Sequence, residues 1–162
     1  MQNRKQIISL ALLIAILPPI WAVAGPYLGN SVGPIALITA GIYAANGNKW
    51  EDAHKISMGL LLGDVWSLIS SYIMSHTPFN ANLTLFCTLF VLGFLVVVIS
   101  SALDKYIYMP AWLAGLAIAM LTMNLDKVTP IMNLAVQIAV AMLVGIYYVG
   151  ALLDKIHRII NK

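Results

Sequence analysis

ISMGLLLGDVWSLISSYIMS, residues 56–75, is a run of membrane-spanning length with one carboxylate, Asp64, set inside it. A bilayer core needs about 20 apolar residues per helix, and this run supplies them with serines as its main polar interruptions. Its neighbours are equally apolar. Of the 162 residues, 61% are hydrophobic and 9% charged, and the mean hydropathy is +0.90. A soluble core of ordinary surface-to-volume ratio cannot hide that much apolar surface, so lipid must solvate part of it. The chain therefore reads as one integral membrane domain, 1–162, of all-α class.

Cutting the chain at its polar and turn-forming pieces gives six expected transmembrane helices: 6–28, 32–47, 56–75, 82–102, 108–123 and 130–153. The cuts are GPYLGNSVGP, NGNKWEDAHK, HTPFNAN, LDKYIYMP and NLDKVTP, rich in the Gly, Pro and Asn that end helices. A signal peptide would be followed by a soluble mature chain, whereas everything downstream of the first segment stays equally apolar, so it reads as a retained helix. With six crossings, Arg4, Lys5, Lys49, Lys55, Lys105, Lys155, Arg158 and Lys162 share one side and Lys127 alone lies opposite. By the positive-inside rule both termini are cytoplasmic, and Trp50, Tyr106, Tyr108 and Trp112 near that side, with Tyr27 and Phe79 opposite, form aromatic belts.

The second and fifth segments are short and open on Pro34 and Pro110. Aligning these prolines also matches Leu37 with Leu113, Ile42 with Ile118 and Asn48 with Asn124. Two three-helix repeats, 6–75 and 82–153, follow as an expectation, and an odd number of crossings per repeat makes them inverted. Pro18, Pro19, Gly25 and Pro26 are expected to kink the first helix.

An ionised carboxylate at membrane depth costs about 2.5 to 3.5 kcal/mol and rarely faces lipid. Asp64, Ser67, Ser71 and Ser75 recur at helical spacing and make one inward stripe; Thr39, Tyr43 and Asn46 make another on the second segment. Asp64, Ser67, Ser71, Thr39, Tyr43 and Asn46, with Trp66 and Trp21, are the candidates for a solute path. The competing account is interhelical hydrogen bonding, together with close packing through the GLLLG at 59–63, AGLAIA at 114–119 and VGIYYVG at 144–150.

Other chemistry finds little support. Cys87, the single cysteine, reads as a small buried hydrophobe. Glu51, Asp52 and His54 share a short wet loop and read as a connector, not a metal site. No nucleophile has a neighbouring base, no glycine loop cradles phosphate, and no basic stripe suggests nucleic acid, so neither an enzyme nor a cofactor is expected.

The motifs IWAVAGPYLG (20–29), GIYAANG (41–47), GLLLGDVW (59–66), MPAWLAGLAIA (109–119) and VGIYYVGALL (144–153) resemble the small bacterial inner-membrane proteins grouped as domain of unknown function 1097. The resemblance rests on Trp21, the small residues ending at Gly47, the pair Gly63 and Trp66, and Pro110. It implies a multi-pass protein of the bacterial inner membrane and supplies no activity. Asp64 departs from it, since the resemblance implies an apolar residue there.

The expected function is a channel or facilitator, working as a homo-oligomer, for a small polar and neutral solute such as a urea-like amide. The alternative is a non-transporting membrane subunit that captures substrate or acts as a scaffold within a larger transporter.

Overall fold

A computed structural model describes residues 4–47, 49–152 and 155. Among them every regular element is helical: α1 (Arg4–Ala24), α2 (Ile35–Ala45), α3 (Ala53–His76), α4 (Ala81–Ala102), α5 (Met109–Leu125) and α6 (Ile131–Val144). Asn48, Arg158 and Lys162 lie outside the described residues. The expected segments reappear within a few residues, and their ends are set by local chemistry. Asn80 accepts a hydrogen bond from Asn82 N at 2.9 Å to start α4, Pro110 occupies the first turn of α5, and Gly29 leaves a short 3-10 turn at φ 79°.

The helix of α1 continues through Pro18 and Pro19, and the break falls at Gly25–Leu28, which is 3-10. At its other extreme the chain carries α6 on into a π-helical stretch, Gly145–Ala151.

Among the described residues three helical segments are long and apolar enough to cross a membrane: Trp50–His76, Ala81–Ala102 and Ile131–Ala151. The α2 helix has 11 residues, about 16 Å at 1.5 Å per residue, which is half a hydrocarbon core. The 17 residues of α5 reach about 25 Å.

By contact density the chain divides into two compact units, residues 1–53 with 140–162, and residues 54–139. In the first, α2 packs on the π-helical part of α6. A Cβ on Gly145 would overlap Thr39 Oγ1 and the Ala36 carbonyl, and one on Gly150 would stand 2.7 Å from the Tyr43 ring. Glycine is what lets these backbones meet.

In the second unit α3 and α5 cross as closely. A Cβ on Gly59 would stand 2.7 Å from the Tyr108 carbonyl, one on Gly63 2.5 Å from the Trp112 carbonyl, and one on Gly115 2.5 Å from the Leu60 carbonyl. The GLLLG pattern is thus half of a glycine-lined contact whose other half is Gly115. Tyr108 N donates to Lys55 O at 3.2 Å, joining the starts of the two helices.

The α4 helix meets this unit through Thr84, Thr88, Leu92, Val96 and Ser100, each four residues from the last. The remaining circumference exposes Phe86, Phe90 and Phe94, as a lipid-facing helix should. Two expectations are corrected here. Cys87 lies off the buried ridge of α4 and is exposed. Trp112, read as a belt residue, is 1% exposed because it falls on the face of α5 that carries Ala111, Gly115 and Ala119 into the core.

Candidate functional site

The serine stripe of α3 runs from the interior of the second unit to its surface. Asp64 is 5% exposed and Ser67 fully buried, Ser71 is half-buried and Ser75 exposed. Eleven residues of helix separate Asp64 from Ser75, an axial distance of about 16 Å. Among the described residues Asp64 Oδ1 has no hydrogen-bond partner, nor has Ser70 Oγ, buried on the same helix. Oxygens so placed are costly, because the alternative partner, water, has been removed.

Ser67 Oγ donates to the Asp64 carbonyl at 2.6 Å and lies 3.4 Å from Met123 Sδ. Ser71 Oγ approaches the same sulfur at 3.9 Å. Met123 is buried on α5, on the face that also carries Gly115, Leu116 and Ala119. A thioether is a weak acceptor on an unbranched, adaptable side chain; with the one Ser67 proton held by the Asp64 carbonyl, the sulfur is left to accept from Ser71.

Beyond Met123 the helices part into a cleft of about 670 Å³, lined by Ser71, Ser75, His76, Met123, Asn124 and Lys127 among others. His76 stacks on Tyr72 with ring centroids 4.2 Å apart, and its Nδ1 lies 2.9 Å from Ser75 Oγ. Lys127 Nζ donates to Met123 O at 3.3 Å and to Asn124 Oδ1 at 3.4 Å. Asp126 accepts from Val128 N, Thr129 N and Thr129 Oγ1 in the turn that leads to α6. The Thr129 amide, then its hydroxyl and the Val128 amide, hold the Asp126 carboxyl below the ordinary carboxylate value of 3.8. The arrangement is a vestibule of mainly apolar lining, Leu68, Met120, Ile131 and Met132 included, in which Ser71 and Met123 take part, with Ser67 and then Asp64 next along α3.

Four of the expected path residues belong to this unit and four to the other. Trp66 is in the aromatic core: its ring meets Trp112 edge to face at 5.2 Å and its Nε1 donates to Leu92 O at 3.4 Å. In the first unit Thr39 Oγ1 donates to Met142 O at 3.1 Å across to α6, and Tyr43 is buried against Gly150. Asn46 Nδ2 donates to Asp52 Oδ2 at 3.1 Å. Trp21 stands beside Gly33, and its Nε1 has no partner among the described residues. Thr39 and Tyr43 share a face, as their spacing requires, and that face is a helix contact.

Sequence reasoning passed over Ser70, Met123, Asn124 and Lys127. Met123 follows Gly115 by eight residues and so shares its face, a signal that becomes readable only once Gly115 is known to meet α3. Among the described residues no three His, Cys, Asp or Glu side chains are grouped to hold a metal ion.

A family model described as a protein of unknown function, DUF1097, matches residues 11–157. No curated protein and no solved structure matches the chain.

Proposed function

The chain belongs to the DUF1097 family of proteins of unknown function, and from that premise we propose that it is a membrane facilitator for small, neutral solutes carrying N–H or O–H donors. The observation that carries the proposal is Asp64 Oδ1, a buried acceptor with no partner among the described residues, set on α3 behind Ser67 and Ser71. A solute entering the vestibule exchanges its water for serine hydroxyls and then for the carboxyl oxygen. Each polar group on the way offers one hydrogen bond of modest strength, which suits passage better than retention. Urea-like amides carry N–H donors for the Asp64 oxygen.

The same reading takes the chain to cross a bacterial inner membrane six times, with α2 and α5 as short crossings and both termini cytoplasmic, and to assemble as a homo-oligomer. The basic residues support that orientation, since Lys127 is the one cation assigned to the vestibule side.

Solute entry into proteoliposomes tests the proposal. Wild type accelerates entry of a urea-like amide over empty liposomes, and Asp64→Leu and Ser71→Val each remove most of the gain while eluting as wild type does in detergent. No acceleration for any member of a panel of amides and polyols overturns it. Stable co-purification with an ATPase from native membranes would then favour a substrate-capture subunit.

A further inference from the structure

The unit formed by residues 1–53 and 140–162 holds a cleft of its own, about 760 Å³ in volume, where the C-terminal end of α2 meets the π-helical turn of α6. Tyr43, Trp50 and Tyr147 wall it, and Lys49, Glu51 and Lys155 also line it. Trp50 meets Tyr147 edge to face, with centroids 5.9 Å apart. The π turn has a part in building the cleft. Each residue inserted by i→i+5 bonding turns everything after it by about 100° around the helix axis. Lys155, four residues past the turn, therefore lies where an unbroken α-helix would not have put it. Gly150 lacks the Cβ that would strike the Tyr43 ring.

We infer that this cleft binds the phosphoryl headgroup of a membrane phospholipid. Lys49 and Lys155 set two positive charges against the one negative charge of Glu51, so the lining favours an anion. Beside the charges stand Tyr43, Trp50, Tyr147, Ala151 and Leu152, apolar area for which free inorganic phosphate has no use and a glycerol backbone with its acyl chains does. Tryptophan, tyrosine and lysine together at the ends of apolar helices are the side chains that settle at the boundary between headgroups and tails. The volume lies within the range of about 300 to 1,000 Å³ common for small-ligand sites. The solute path runs through the other unit, so this inference stands or falls independently of it.

Titration of the purified full-length protein in a non-ionic detergent, read by native mass spectrometry, tests the inference with phosphatidylglycerol as the probe. Phosphatidylglycerol is retained, whereas diacylglycerol, which lacks the phosphate, and inorganic phosphate, which lacks the chains, are not. Lys49→Gln and Lys155→Gln each weaken retention about fivefold, the change that about 1 kcal/mol per lysine near an anionic headgroup represents. Lys105→Gln, which removes the same charge outside the cleft, leaves it unchanged. Lys49 and Lys155 are exposed, so the fold does not depend on either. Equal retention of diacylglycerol, displacement of the lipid by millimolar inorganic phosphate, or an equal loss in Lys105→Gln overturns the inference.

Discussion

Ser67 Oγ lies 3.4 Å from the sulfur of Met123, so that a buried hydroxyl of α3 meets the flexible tip of an α5 side chain. With Ser71 Oγ at 3.9 Å on the same sulfur, Met123 stands between the open vestibule and the buried part of the stripe. A side chain with three rotatable bonds is suited to swing aside there, where a branched one would wedge.

Met123→Ala should open the way between them. Cys87 is exposed on α4, so the test starts from Cys87→Ser carrying Ser67→Cys. A small thiol reagent should then label position 67 faster when Met123 is alanine than when it is methionine. Truncating a buried Met costs about 2 to 5 kcal/mol, so Met123→Leu, a swap of under about 1.5 kcal/mol, serves as the folded control and should label slowly. Equal rates in all three would remove Met123 from the path.

Glycines at the two helix crossings should tolerate no Cβ. Gly63→Ala and Gly145→Ala place a methyl group against backbone atoms of the facing helix and should lower stability by about 1 to 3 kcal/mol or more. Gly93 on α4 has nothing within 4 Å of where a Cβ would stand, so Gly93→Ala should gain about 0.5 to 1 kcal/mol from helix propensity alone. Melting in detergent separates the two signs.

Thr39→Val keeps the shape of a side chain that donates across to Met142 O at 3.1 Å and removes only the hydroxyl. Interhelical hydrogen bonds in membrane proteins average about 0.6 kcal/mol, with a maximum of about 1.7. Thr39→Val should therefore lower the melting temperature slightly, and much less than Gly145→Ala at the same contact.

Asp126 should make stability pH-dependent. Its carboxyl is held below the ordinary value by the Thr129 and Val128 amides and the Thr129 hydroxyl, so folding favours the ionised form. The contribution is fully present above the ordinary carboxylate value and is lost as pH falls through the lowered one. Wild type should out-melt Asp126→Ala by a constant margin near neutral pH, and that margin should shrink under acid. A margin that widens under acid would contradict the sign.

The helix positions were readable because punctuation and apolar runs are local properties: Pro34 and Pro110 mark beginnings in the sequence and in the structure alike, and the cut HTPFNAN holds the Asn80 that caps α4. The π-helical turn was not. GIYYVGA has the same apolar content whether its amides reach back four residues or five, and the register is chosen where Gly145 and Gly150 meet Thr39 and Tyr43, over a hundred residues away in the chain. GLLLG announced a close approach and could not name Gly115 as its partner. Likewise the stripe from Asp64 to Ser75 was legible as a period, while its neighbour Met123 carries no polar mark that would single it out. Trp66 and Thr39, two of the path candidates, also pack with Trp112 and hydrogen-bond to Met142, contacts that no local pattern names.

The α4 helix meets the protein through one ridge, with a buried residue at every fourth position from Thr84 to Ser100. Most positions between are exposed, where any side chain that dissolves in hydrocarbon will serve, and Ile99, half-buried against the cluster of Val96, Ile107 and Trp112, is an exception. Mutational scanning of this helix should return a comb, with intolerant teeth four residues apart and broad freedom between them. Drift among relatives would then erase most of the α4 sequence while leaving its spacing intact.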